Sequence, residues 1–211
     1  MLNDEEFVAL NQERFVEAVA TLASADSDLA NVMARFGQPP FWSRPPGFAT
    51  LILIILEQQV SLASARATFQ RLTAATAPLT PASLLALDDE AMKAVGFSRQ
   101  KIGYARGLAQ AVLEERLDLD ALATMADKKA YSRLLQLKGI GPWTAQVYLL
   151  MALQRADIWP IGDLALVVAM QEIKSLPHRP SADEMTALAR PWQPWRAAAA
   201  RILWHHYLST R

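Results

Sequence analysis

No stretch of this 211-residue chain alternates β-branched with polar side chains, and that constrains its fold more than any other feature. Alanine and leucine are abundant instead, so almost every segment reads as helix, with eight glycines and twelve prolines as punctuation. A first helix is expected near Asp4 to Leu22, and a second from Asp26 or Ser27 to about Phe36. Residues 37–47 hold Pro39, Pro40, Pro45 and Pro46 and are expected as a loop, because proline brings no amide to a hydrogen-bond ladder. The segment Phe48 to Gln58 is apolar all round and belongs at the centre of the core. Helices should follow from Ser61 to Thr73, after the N-caps Thr80 and Asp88, from Ser98 to about Arg116, and over 120–125 and 127–137. Others run from Pro142 to about Leu153 and from Asp163 to about Lys174. Ser181 and Glu184 form a capping-box pattern, and Pro194 is expected to open the last helix, to about Tyr207. The expected class is all-α, one domain over 1–211, with no repeat and no linker.

Composition narrows the chemistry. Hydrophobic residues make up 52% and charged residues 20%, enough to bury a sizeable core as one domain or two small lobes. With no cysteine, disulfides, cysteine-bound zinc and cysteine-bound iron–sulfur clusters are excluded, which fits a reducing, cytoplasmic setting. Lys+Arg and Asp+Glu both number 21, so any nucleic-acid surface must be local. The basic groupings are Arg99, Lys101 and Arg106; Lys128, Lys129, Arg133 and Lys138; and Arg196 with Arg201. Each reads equally as a solvated helix face. Asp4, Glu5 and Glu6 stand where a secretory leader would be basic, and the apolar run 48–56 is too short for a bilayer, so no membrane association is expected. His178, His205 and His206 make no metal-ligand pattern, and the last two are expected as solvated side chains.

Residues 137–145 read Leu-Lys-Gly-Ile-Gly-Pro-Trp-Thr-Ala, between two helical segments. A dinucleotide fingerprint needs a preceding strand and a third glycine, and neither is present. A tight helix–turn–helix needs glycine where φ is positive, and glycine also admits a phosphate to the backbone. Amides at the start of the Pro142 helix would then face that phosphate, with Ile140 plugging the turn into the core. The same string is compatible with an ordinary helix C-cap followed by a proline-started helix. Asp163 opens the next helix, and an N-cap role suffices to explain it.

Together, Leu-x-Gly-Ile-Gly-x-Trp-Thr-Ala, an Asp 20 residues after Trp143, the stretch Ile54 to Ser61 and the ending Pro194-Trp195-Arg196 with Trp204 resemble the helix-hairpin-helix/Gly-Pro-Asp DNA glycosylase superfamily. The likeness covers roughly residues 40–208 and is closest to the 3-methyladenine DNA glycosylase II branch. It implies two helical lobes around a DNA-binding cleft, with the hairpin, about 127–153, and Asp163 at its mouth. It implies Asp163 as the catalytic carboxylate, Trp143, Trp204, Trp42 and Gln58 as base-pocket residues, and Gln59 as the wedge that fills the duplex. Lys138, Gly139, Ile140, Gly141 and Thr144 would bind phosphate. Tyr148 is offset from the family's pocket tyrosine, which aligns with Val147. The N-terminal β domain of some members is not expected in a chain of this length. Lyase relatives carry a lysine where Trp143 stands, so base removal without strand cleavage is implied. The implied reaction is hydrolytic release of alkylated purines during base excision repair, and other damaged purines or a non-catalytic DNA-binding module are the alternatives. Double-stranded DNA with damaged bases is the implied partner, bound by a monomer in the cytoplasm or nucleoid. No cofactor is required, although a hairpin of this type can hold a monovalent cation on backbone carbonyls.

Overall fold

The computed structural model describes residues 7–211. Among these there are thirteen α-helices and one 3-10 turn, and strand pairing is limited to a single antiparallel bridge between Ala9 and Arg155. The fold is all-α, as the missing alternation requires. The helices gather into two compact units: a first from residues 7–43 and 149–211, and a second from Arg44–Tyr148.

In the second unit, α3 (Phe48–Glu57) is the central helix. Leu51, Ile52, Ile54 and Ile55 on it have no exposed surface, as expected for a helix apolar on every face. The helix α4 (Leu62–Thr76) packs on it, capped by Ser61 rather than starting there. The short helices α5 (Pro81–Leu85) and α6 (Asp89–Ala94) follow their caps Thr80 and Asp88 and pack on α7 (Arg99–Leu113). That helix stops short of the expected Arg116, because Glu115 turns with φ +56°. Next come α8 (Leu119–Leu122) and α9 (Asp127–Leu135), and then α10 (Pro142–Met151), within which the unit ends.

In the first unit, α13 (Arg196–Ser209) packs against α1 (Gln12–Ala25), α2 (Ser27–Phe36) and α11 (Leu164–Ile173). Ala197 to Ala200 are wholly buried, small side chains that let neighbouring helices come close. The capping box of Ser181 and Glu184 forms at the head of α12 (Ala182–Ala189), with both reciprocal bonds made. Two expectations fail. Helix α1 begins at Gln12, capped by Asn11; residues 8–10 pair instead with 154–156 through Leu10 N to Gln154 O (2.7 Å) and Ala156 N to Val8 O (2.8 Å). Residues 4–6 of that expected helix lie outside the described residues. The last helix begins at Arg196 and not at Pro194, because 190–192 form the 3-10 turn and Trp195 stands at the N-cap position, with no side-chain cap bond.

Candidate functional site

In the second unit the glycine turn joins α9 to α10. Gly139 has φ +94°, and a methyl group there would lie 2.1 Å from Cγ of Tyr104 on α7. Glycine is therefore demanded twice, by the backbone and by the ring packed on it. Ile140 is buried, as expected of the plug, and its amide closes the turn onto Leu137 O at 3.0 Å. Gly141 has no neighbour within 4 Å of where a Cβ would stand. Pro142 occupies the first helical position, and Trp143 beside it is half-exposed. Lys138 is exposed.

Thr144 departs from its expected place. Its side chain is buried, and its hydroxyl accepts from Gln58 Nε2 at 2.8 Å. Gln58 Nε2 also donates to Gly139 O at 2.8 Å. The side chain expected in the base pocket thus staples the end of α3 to the hairpin. Gln59 follows, exposed and at φ +58°, a left-handed conformation that costs a non-glycine residue about 1–2 kcal/mol. Tyr148 is fully buried and its hydroxyl accepts from Gly47 N at 2.9 Å, so it anchors the start of α3. Burial pushes its phenol above the usual range.

In the first unit Asp163 caps α11, as its position predicts. Its Oδ1 accepts from Leu166 N at 3.0 Å and from Trp204 Nε1, on α13, at 3.1 Å. The same helix places Arg201 and His205 beside Trp204, three residues before it and one after. Arg201 reaches the carbonyl of Trp42 at 2.9 Å, and the His205 ring lies 6.4 Å from the Trp42 ring. Asp163, Trp204 and Trp42 are thereby tied to one helix. Leu164 beside Asp163 is exposed.

Several charged residues point the opposite way from their expected direction. Arg201 is fully buried, its guanidinium held by Ala197 O, Leu150 O and Gln154 Oε1 at 2.8–3.1 Å. Burial drives its pKa down to about 9. Arg196 is buried and grips Asp157 through two nitrogens, at 2.7 and 2.9 Å. The Arg196 and Arg201 pair is therefore no DNA surface. The signal was present in Ala197 to Leu203, where Arg201 interrupts an otherwise apolar run. Lys101 also turns inward, and Arg106 is engaged along the surface by Leu87 O and Asp89. His205 and His206 are not solvated: His205 Nε2 pairs with Phe36 O at 3.0 Å, and His206 Nε2 with Glu172 at 2.8 Å. Lys128, Lys129, Arg133 and Lys138 remain at the surface.

Residues 52–194 match the family described as HhH-GPD superfamily base excision DNA repair protein. DNA-3-methyladenine glycosylase 1 of Schizosaccharomyces pombe is 30% identical over 161 residues, 74% of this chain and 71% of that protein. A DNA-3-methyladenine glycosylase of Bacillus subtilis is 30% identical over 105 residues, 50% of this chain and 35% of that protein. The matches span only 35–43% of the length of three bacterial relatives. Among solved structures, the S. pombe 3-methyladenine DNA glycosylase in complex with abasic DNA superposes with TM-score 0.83 at 27% identity, over 89% of this chain and 95% of that one. A DNA-3-methyladenine glycosidase from Bacillus halodurans gives TM-score 0.75 at 27% identity, over 96% and 92%.

Proposed function

This chain belongs to the HhH-GPD superfamily of base excision DNA repair proteins, and on that premise we propose that it is a monofunctional DNA glycosylase that hydrolytically releases alkylated purines, of the 3-methyladenine and 7-methylguanine type, from duplex DNA. The observation that carries the reading is the Asp163 carboxylate, fixed on one oxygen by a helix-cap amide and by the Trp204 indole. Breaking an N-glycosidic bond builds positive charge on the sugar, and an immobilised anion stabilises that charge without having to reorganise. Asp163 also serves to orient the attacking water. An alkylated purine is already cationic and leaves without a strong general acid. The same charge favours electron-rich ring faces such as those of Trp204 and Trp42. A base stacked in a duplex is out of reach and must be flipped, with exposed Gln59 filling the gap. The hairpin amides grip a phosphate and read no sequence. With Trp143 in place of a lysine, no Schiff base forms and the strand stays whole.

The test is base release from duplexes carrying 7-methylguanine, 3-methyladenine, hypoxanthine or ethenoadenine. Release of the first two is expected, with strand breaks only after alkali. Asp163→Asn should keep the cap, since asparagine caps as well as aspartate, and lower the rate by about 10²-fold or more. A folded Asp163→Asn protein at full rate, or strand cutting without alkali, would overturn the assignment. DNA binding with no release of any base would point to a non-catalytic module.

A further inference from the structure

The end of α3 is held by a side chain that sequence alone places on a basic surface. Lys101, on α7, turns inward, and its Nζ donates to Leu56 O at 2.7 Å and to Gln58 O at 2.9 Å. These carbonyls lie where a helix has run out of amide partners, at the negative end of its dipole. Gln58 is then fixed twice, by Lys101 on its backbone and by the hairpin on its side-chain amide. The next residue, Gln59, projects into solvent in a left-handed conformation that persists only if its surroundings enforce it. One turn along α7 from Lys101, on the same face, Tyr104 packs against Gly139 of the hairpin.

We propose that Lys101 is the positioning residue of the wedge: its ammonium locks the last carbonyls of α3 so that Gln59 stays projected, and α7 sets that projection against the phosphate-gripping hairpin through Tyr104. The inference rests on the glycosylase reading for what the wedge does, but not for whether Lys101 holds it. Lys101 acts through Gln59 and touches no reacting atom.

The chain has no cysteine, so Gln59→Cys gives a unique attachment point for a nitroxide spin label. In the intact 211-residue chain the label should show a restricted spectrum with Lys101 and a mobile one with Lys101→Met. Without the cysteine, Lys101→Met should lower the single-turnover rate of 7-methylguanine release at saturating enzyme about 10-fold or more. Its Kd for undamaged duplex should change less than about 3-fold, and Lys101→Arg should recover much of the rate. Lys101→Gln keeps one donor for a carbonyl and should fall between; it decides the matter if the methionine variant does not fold. A restricted label and an unchanged saturated rate in the folded methionine or glutamine variant overturn the proposal. So does a loss confined to duplex affinity, which would make Lys101 a phosphate contact. If wild-type protein releases no base, the glycosylase reading fails while the label still judges Lys101.

Discussion

Gly139 shows how much one residue can carry, because its φ of +94° and the Tyr104 ring against it are separate demands. Gly139→Ala should therefore cost about 3 kcal/mol in denaturant unfolding, about 1–2 from the backbone and the rest from displacing the ring. In a Tyr104→Ala background the clash is gone, and the same substitution should cost only the backbone part. An equal cost in both backgrounds would mean that the ring yields freely. The need for glycine was legible in the motif, but Tyr104 was not, since nothing in a sequence says which ring lies over a turn 35 residues away. The same gap explains Lys101 and Arg201. A sequence gives a charge its place along a helix but not its direction, and both side chains reach inward for carbonyls instead of outward for phosphate.

Helices in the first unit are joined by a polar knot that their caps foreshadow. Asp26 caps α2 through Asp28 N and Leu29 N, and its carboxylate also takes both Lys174 Nζ, at 2.8 Å, and Trp192 Nε1, at 2.8 Å. Asp28 accepts from the same ammonium at 2.8 Å. Burial pushes the Asp26 carboxyl up, but the bonds from Lys174 and Trp192 outweigh it and hold the group below its ordinary range. Lys174 is the mirror case: burial lowers it, and its two carboxylates raise it above the ordinary value. Stability from Asp26 is thus fully present above the unfolded aspartate pKa and lost as pH falls through the lowered one, below about pH 4. That from Lys174 is lost only as pH rises through its raised value. Asp26→Asn keeps the cap and loses the ion pair, and should destabilise by about 2 kcal/mol at pH 7. Urea unfolding at descending pH should show the gap to wild type closing in strong acid; a constant gap would assign the loss to packing. The cap at Asp26 was legible from its place before a helical segment. The start of α1 was not, because the pairing of residues 8–10 with 154–156 depends on a partner far along the chain.

At the scale of the whole molecule, a chain with formal net charge +0 has no general attraction for a polyanion. Six of its cations are also engaged internally: Arg44 with Glu57, Arg106 with Asp89, Lys174 with Asp26, Arg196 with Asp157, Arg201 with carbonyls, and Lys101 with the end of α3. On the glycosylase reading, the exposed cations around the hairpin are the ones placed to supply the electrostatic share of DNA binding. Lys129 and Arg133 stand four residues apart on one face of α9, and exposed Lys138 follows at the turn. Each phosphate contact releases counterions and adds about 0.9 to the slope of log Kobs against log salt. Replacing Lys129, Arg133 and Lys138 together with alanine should lower that slope by about 2–3 and weaken binding to undamaged duplex at least 10-fold near 0.1 M salt. The melting temperature should hardly move, because all three side chains are exposed. The rate of base release at saturating enzyme should also stay near wild type, since on that reading these cations only position the duplex. An unchanged salt slope would move the phosphate contacts to other cations or to the backbone amides of the hairpin, which carry no counterion-releasing charge.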